Sequence, residues 1–150
     1  MCSKRSLRMA DNWHMQIRVQ MAHTDCTGVV YHANYLNFME MARSELFSRL
    51  CQEHGLTVPQ FYQMYGFFVV HGVNITYKQP LRLAEKATVV SRVVKRSRVQ
   101  TVWHQAVYRG DSANKQLCTD AQVKLAFVNK AMRPAKMPDW LWSTNTEVST

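Results

Sequence analysis

The stretch that decides the fold runs from His23 to Arg43 and reads HTDCTGVVYHANYLNFMEMAR. It begins with turn-forming residues that include a carboxylate, Asp25, and a glycine, Gly28. It continues as a mostly apolar segment that we predict to be a long helix with Asn34 as its N-cap. The unpaired N–H groups of a first helical turn can stabilise an oxyanion, and a carboxylate beside them can attack a carbonyl or activate water. The stretch therefore predicts a reactive site at the start of a helix.

The predicted helix extends to about His54, and Gly55 is a suitable stop. Its apolar residues cover most of its circumference, so we expect other elements to wrap around it. In a small domain, a curved sheet is the natural wrapper.

Residues on both sides of this helix alternate between apolar and polar, which is the period of a half-buried strand. The pattern predicts one strand before the helix and, after a short second helix, four strands in succession. The predicted strands cover residues 14–21, 69–77, 86–95, 99–108 and 117–128, and the short helix covers 57–65. We predict an α+β fold in which a five-stranded antiparallel sheet curls around one long central helix. A split βαβ fold is the alternative, but it needs a second long helix that the sequence lacks.

The chain of 150 residues suits one domain with a substantial core. We expect a flexible N-terminal tail over residues 1–12, the domain over 13–138 and a C-terminal tail over 139–150. No apolar run approaches the roughly 20 residues that span a bilayer, and the N-terminus lacks the apolar segment of a secretory signal. We therefore expect a cytoplasmic protein without a membrane span.

The formal net charge of +9 favours an anionic partner. Nucleic acid, an acidic membrane surface and a phosphorylated small ligand all fit, and so does an inert basic surface. No RNA-binding motif or aromatic ladder accompanies the charge, so nucleic acid is not expected. The histidines, cysteines and acids show no metal-ligand spacing, and we expect neither a metal nor a cofactor.

The stretch from Asp25 to Arg43 has the pattern D-x-x-G-V-V-Y-H-x-N-Y-L-x-F-x-E-x-A-R. This pattern resembles the active-site loop and central helix of the hotdog-fold acyl-CoA thioesterases. The resemblance is to the 4-hydroxybenzoyl-CoA thioesterase family, and most closely to its Tol–Pal-associated branch. The predicted order of helix and strands is also similar to the hotdog fold over roughly residues 13–130.

The resemblance implies that Asp25 acts as the nucleophile, or as the general base for water, on the thioester carbonyl. It implies that the backbone N–H of His32 polarises this carbonyl, and in the Tol–Pal branch the histidine side chain also contributes. Members of the family are homodimers with sheets joined edge to edge, often assembled into homotetramers. The chain departs from the branch at Met21, where a tyrosine is common, which bears on acyl-chain preference and rate.

The resemblance also implies a set of substrate-binding residues. Those at the loop and the start of the helix are Gly28, Val29, Tyr31, Asn34 and Tyr35, and those for the phosphates of CoA are Lys95 and Arg96. An acidic acyl carrier protein is an alternative partner for the same basic turn, which also includes Arg98. Candidates for the acyl pocket are Tyr35, Phe38, Phe67 and Phe68.

Other interpretations of these residues stay open. Asp25 also suits a turn former, and Asn34 suits a helix cap better than a catalyst. We interpret Glu40 as a buried structural acid paired with Arg43 or a backbone group, while the alternative is the essential acid. The sequence thus predicts an acyl-CoA thioesterase that releases a carboxylic acid and free CoA. A non-catalytic module that binds acyl carrier protein or nucleic acid on the same fold is the alternative function.

Overall fold

The computed structural model describes residues 11–111 and 116–142. Most of the predicted N-terminal tail and the end of the predicted C-terminal tail lie outside the described residues. The strands are β1 (Trp13–Arg18), β2 (Phe67–Tyr77), β3 (Lys86–Arg96), β4 (Gln100–Arg109) and β5 (Leu117–Val128). The helices are α1 (Asn34–Glu53) and α2 (Val58–Met64), and a 3₁₀ turn covers Met21–His23.

The five strands form one antiparallel sheet in the order β1-β3-β4-β5-β2. Helix α1 packs on one face of this sheet, and its side chains form much of the core. Its buried residues are Tyr35, Phe38, Met39, Ala42, Leu46, Phe47, Leu50 and Cys51. The predicted five-stranded sheet around a long helix is confirmed. Neither described helix is long and apolar enough to cross a membrane.

The two ends of α1 compare differently with the sequence prediction. The helix ends as predicted, because His54 is its C-cap and Gly55 follows with a φ of 72°. The predicted N-cap was wrong. Ala33 occupies that position without a side-chain hydrogen bond, and Asn34 is the first helical residue. The side-chain amide of Asn34 instead donates to the carbonyl of His23, at 2.8 Å, and so ties the helix to the preceding loop.

Strand β1 is shorter than predicted, because the chain turns after Arg18 into the 3₁₀ turn. The backbone N–H of Gln20 donates to Nδ1 of His23 at 2.9 Å, which closes this turn. Residues that the alternation assigns to the strand therefore begin the loop.

Packing continues past residue 138, where we expected the domain to end. Leu141 is fully buried and Trp142 is 7% exposed. The Arg96 side chain donates to the carbonyl oxygens of Leu141 and Pro138, at 2.9 and 3.0 Å. We call residues 137–142 the C-terminal segment, and it forms part of the core.

Strand β2 lies at one edge of the sheet, and among the described strands it pairs with β5 alone. It is 11 residues long and exposes three large apolar side chains, Val70, Val73 and Tyr77. A long edge strand with exposed apolar residues is a natural site for pairing with another strand.

Candidate active site

The loop that contains Asp25 is a small hairpin. Thr24 pairs with Val30 as an isolated antiparallel bridge, and the N–H of Asp25 donates to Val29 at 2.9 Å. Gly28 closes the hairpin with an N–H that donates to the Asp25 carbonyl, and its φ is +82°. Glycine suits this position because a side chain is disfavoured at that φ.

Backbone hydrogen bonds fix this hairpin to the segment before β3. Val30 donates to Leu81 at 2.8 Å, and Leu83 donates to Gly28 at 3.0 Å. The carbonyl of His23 receives the N–H of Tyr31 as well as the Asn34 amide. The segment before β3 and the start of α1 therefore hold the loop on two sides.

The Asp25 carboxylate is exposed, and one of its oxygens is occupied. Oδ1 accepts hydrogen bonds from the hydroxyl and the N–H of Thr27, at 2.6 and 2.8 Å. The Thr27 hydroxyl, followed by the Thr27 N–H, holds the pKa of Asp25 below its ordinary value of 3.8. Within the described part of the chain, Oδ2 has no hydrogen-bond donor. Asp25 is thus an ionised carboxylate at neutral pH with one free oxygen.

His32 lies two residues beyond the bridge partner of Thr24, and its side chain is exposed. Its ring packs against Tyr31 and edge-on against Tyr77, with centroids 4.5 and 6.2 Å away. Among the described residues, neither the N–H of His32 nor that of Ala33 has an acceptor. The two residues that precede α1 therefore present N–H groups that can donate to an oxyanion.

One cavity adjoins this site, and another lies further along α1. The first, of about 280 Å³, adjoins His32 and is lined by Val30, His32, Tyr35, Tyr77, Lys78, Gln79 and Pro80. The second, of about 200 Å³, lies between α1, α2, the sheet and the C-terminal segment. It is lined by Glu40, Arg43, Ser44, Phe47, Tyr62, Phe68, Val70, Trp103, Leu125 and Trp142. Half of the residues that line the second cavity are aromatic, which suits an apolar group, while Glu40, Arg43 and Ser44 give it a polar side.

The described residues contain no group of three or more His, Cys, Asp or Glu side chains that could hold a metal ion.

A protein-family model described as the thioesterase superfamily matches residues 27–115, which is more than half of the chain. The chain belongs to the thioesterase superfamily. The acyl-CoA thioesterase YbgC of Haemophilus influenzae is 32% identical over 132 residues, which cover 87% of this chain and 92% of that protein. The acyl-CoA thioesterase YbgC of Helicobacter pylori is 29% identical over 122 residues, which cover 78% and 86%.

The structure of a DHNA-CoA thioesterase from Staphylococcus aureus superposes with a TM-score of 0.73 at 26% identity. The match covers 86% of this chain and 85% of that chain. The predicted hotdog fold and membership of the thioesterase superfamily are confirmed.

The predicted acyl-pocket residues of this thioesterase lie in different places. Phe68 lines the second cavity and Tyr35 lines the first. The Tyr35 hydroxyl accepts the N–H of Leu81 at 3.0 Å, and burial raises the pKa of this phenol. Phe38 is fully buried and lines neither cavity, while Phe67 lies at the start of β2, paired with Val128.

Glu40 is not the buried acid that the sequence predicted. It is exposed on α1, at the rim of the second cavity. Arg43 is half-buried and donates to Oε1 of Gln105 at 2.7 Å, so a neutral amide is its hydrogen-bond partner. Burial lowers the pKa of the Arg43 guanidinium, and the charge of Glu40 opposes this shift.

The predicted phosphate ligands lie far from the hairpin within one chain. Lys86 pairs with Arg18, close to where the loop begins, and Lys95 lies nine residues further along β3. At a rise of 3.3–3.4 Å per residue, this separation is about 30 Å. Lys95 is exposed, whereas the Arg96 guanidinium is turned to the carbonyls of the C-terminal segment.

Three residues of the site region, namely Thr27, Tyr77 and Trp142, were not identified from the sequence. The D-x-T spacing of Asp25 and Thr27 is a recognisable Asx-type turn and was a usable signal. Tyr77 contacts His32, which is 45 residues away in sequence. Trp142 packs against Trp103 from beyond the expected end of the domain. Local pattern carries no information about such contacts.

Proposed function

We propose that this thioesterase hydrolyses acyl-CoA thioesters to a carboxylic acid and free CoA. One arrangement carries the proposal. Asp25 is an ionised carboxylate with a free oxygen, and it lies on a hairpin. Hydrogen bonds tie this hairpin to the start of α1, where two N–H groups are free. The names of the similar bacterial proteins support the same substrate class. Placement in the Tol–Pal-associated branch and a cytoplasmic location are part of the proposal.

In this mechanism the carbonyl oxygen of the thioester accepts a hydrogen bond from the N–H of His32. The N–H of Ala33 lies beside it as a second donor. The negative charge that develops on the oxygen is stabilised by these donors and by the N-terminal end of the α1 dipole. The His32 ring, which is exposed beside Tyr31, contributes to binding or proton transfer.

Asp25 begins the reaction in one of two ways. As the nucleophile, its carboxylate adds to the carbonyl carbon, the C–S bond breaks with release of CoA thiolate, and water hydrolyses the resulting mixed anhydride. As the general base, Asp25 takes a proton from water, the hydroxide adds, and the tetrahedral intermediate expels the thiolate, which receives the proton. Both routes return Asp25 to its carboxylate form.

The proposed active unit is a homodimer that joins two β2 edges, and homotetramers are built from such dimers. An antiparallel pairing of two β2 strands puts the Phe67 end of one chain beside the Tyr77 end of the other. This brings Lys95 and the second cavity of one chain toward the Asp25 hairpin of its partner. Lys95 then contacts the phosphates of CoA, with Arg96 supporting the turn, and the aromatic cavity receives the acyl group.

The proposal is tested by free-thiol release from acyl-CoAs that range from acetyl to long-chain and benzoyl esters, with acyl carrier protein thioesters as a second panel. Replacement of Asp25 by Asn keeps the shape of the side chain and removes its charge. We expect kcat/KM to fall at least about a hundredfold, which corresponds to about 2.7 kcal/mol.

Asp139→Asn, an exposed aspartate on the C-terminal segment, is the matched control and should retain full activity. Equal rates for wild type and Asp25→Asn would exclude Asp25 and direct attention to Glu40. No hydrolysis of either panel by the wild type would overturn the proposed function in favour of a binding module.

A further inference from the structure

The carbonyl of His32 lacks the partner that a regular helix would give it. The N–H of Leu36, which would reach this oxygen in an α-helix, donates to Ala33 at 3.2 Å instead. The carbonyl of His32 accepts its hydrogen bond from the Tyr77 hydroxyl, at 3.0 Å. A side chain from the far end of β2 thus satisfies a backbone group at the start of α1.

This hydrogen bond fixes the orientation of a peptide unit. In a planar trans peptide the C=O and the following N–H point in opposite directions. With the His32 carbonyl held by Tyr77, the Ala33 N–H faces away from β2. In the preceding peptide, the Tyr31 carbonyl accepts the N–H of Asn34 at 2.8 Å, which in the same way sets the direction of the His32 N–H.

The Tyr77 ring is itself held in place. It lies edge-on to His32 and to Tyr35, with centroids 6.2 and 5.6 Å away. Tyr35 is anchored by its hydrogen bond to Leu81, and the Tyr77 backbone pairs with Thr119 in the sheet. The sheet therefore determines where the Tyr77 hydroxyl lies.

We propose that Tyr77 is a positioning residue for thioester hydrolysis, whose hydroxyl aligns the peptide between His32 and Ala33 with the reacting carbonyl oxygen. This inference rests on the proposed function. Donation by the hydroxyl also polarises the peptide, which strengthens its N–H as a donor. Tyr77 acts through the backbone of His32, so its contribution belongs to the transition state, in which the oxyanion develops.

The test is Tyr77→Phe, which removes the hydroxyl and keeps the ring. We expect kcat to fall about tenfold to a hundredfold while KM stays within about twofold, because misalignment of one oxyanion donor weakens transition-state binding. The acidic limb of the pH profile should not move, since the donors to Asp25 are untouched. Tyr108→Phe is the matched control, because its hydroxyl has no hydrogen bond among the described residues.

A second readout does not depend on activity. The backbone N–H of Asn34 is protected by its hydrogen bond to the Tyr31 carbonyl. We expect it to exchange with deuterium faster in Tyr77→Phe than in the wild type, and at the wild-type rate in Tyr108→Phe. An unchanged kcat in Tyr77→Phe would overturn the inference while leaving the proposed function in place. If the wild type hydrolysed no thioester, the proposed function would fail first. Unchanged exchange of Asn34 would then show that Tyr77 does not hold this turn either.

Discussion

At the scale of single residues, the proposed chemistry of the site depends on how Asp25 is held. Thr27 gives two hydrogen bonds to Oδ1 and leaves Oδ2 free. This arrangement orients the carboxylate and lowers its pKa, while an oxygen lone pair stays available for the proposed reaction. Thr27 is two residues from Asp25, so the same turn that shapes the hairpin also lowers the pKa of the proposed catalytic carboxylate.

Replacement of Thr27 by Val removes the stronger donor and keeps a side chain of similar shape. The pKa of Asp25 is lowered in the folded chain, and loss of a donor to the ionised form must raise it. We therefore expect the acidic limb of kcat/KM to move to higher pH, so that activity is lost earlier on acidification. A pH–rate profile measures this shift.

Thr24→Val is the control for this change, because the Thr24 hydroxyl donates to the carbonyl of Met21 and not to Asp25. A Thr27→Val profile that coincides with the wild-type profile would mean that Thr27 has no influence on the ionisation of Asp25.

Sequence pattern predicts some residues of the site better than others. Asp25, Gly28 and His32 stand in one continuous motif, so they were identified together as candidates. Glu40 was misjudged because a helix that is apolar over most of its circumference suggests full burial. One side of α1 is in fact open in the single chain, where Met41 is 50% exposed. Which side of a helix a sheet covers is a tertiary property that the helix pattern alone does not give.

At the scale of secondary-structure elements, Arg96 links the turn after β3 to the C-terminal segment. Its guanidinium donates to two carbonyls, and the Met137 N–H donates to the carbonyl of Arg98. Trp142 then packs against Trp103 with ring centroids 4.8 Å apart and forms one wall of the second cavity. The sequence predicted a basic turn but could not indicate that one of its arginines faces inward.

Arg96→Gln should destabilise the fold and loosen this wall. The substitution removes a half-buried charged group that donates to two carbonyls. By the usual contribution of hydrogen bonds to charged groups, this lowers the free energy of unfolding by about 2 kcal/mol. We expect a lower midpoint in urea unfolding and weaker discrimination between acyl chains of different length. Tryptophan fluorescence and the acyl-CoA panel measure the two effects.

The control for Arg96→Gln is Arg98→Gln, because Arg98 has the same charge and an exposed side chain in the same turn. Equal midpoints for these two variants would indicate that the C-terminal segment is held by packing alone.

At the scale of the whole molecule, alternation and the apolar helix were enough to predict the number of strands and their wrapping of α1. Strand pairing was less accessible. The register shifts between Val70 and Gly72 in β2, and between Val93 and Lys95 in β3, where the strands are irregular. Bulges depend on how neighbouring strands twist together, and the period of one strand does not reveal them.

The exposed edge of β2 leads to a prediction about assembly. Val73 is 40% exposed on this edge, and Val94, at 41%, is equally exposed on β3, which β4 and β5 separate from this edge. Val73→Asp places a charge where two β2 strands would pair, so we expect it to give monomers in sedimentation velocity. Val94→Asp should keep the wild-type oligomeric state. Monomeric wild type, or an intact dimer in Val73→Asp, would exclude assembly through this edge.

The free edge of β2 has one more consequence under this assembly. Since each site would draw on both chains, dilution would separate the Asp25 hairpin from the aromatic cavity and phosphate ligand that complete it. Dilution would also remove the area buried between subunits, so turnover and resistance to unfolding would decline over the same range of protein concentration. The activity of this thioesterase would then depend on its own concentration.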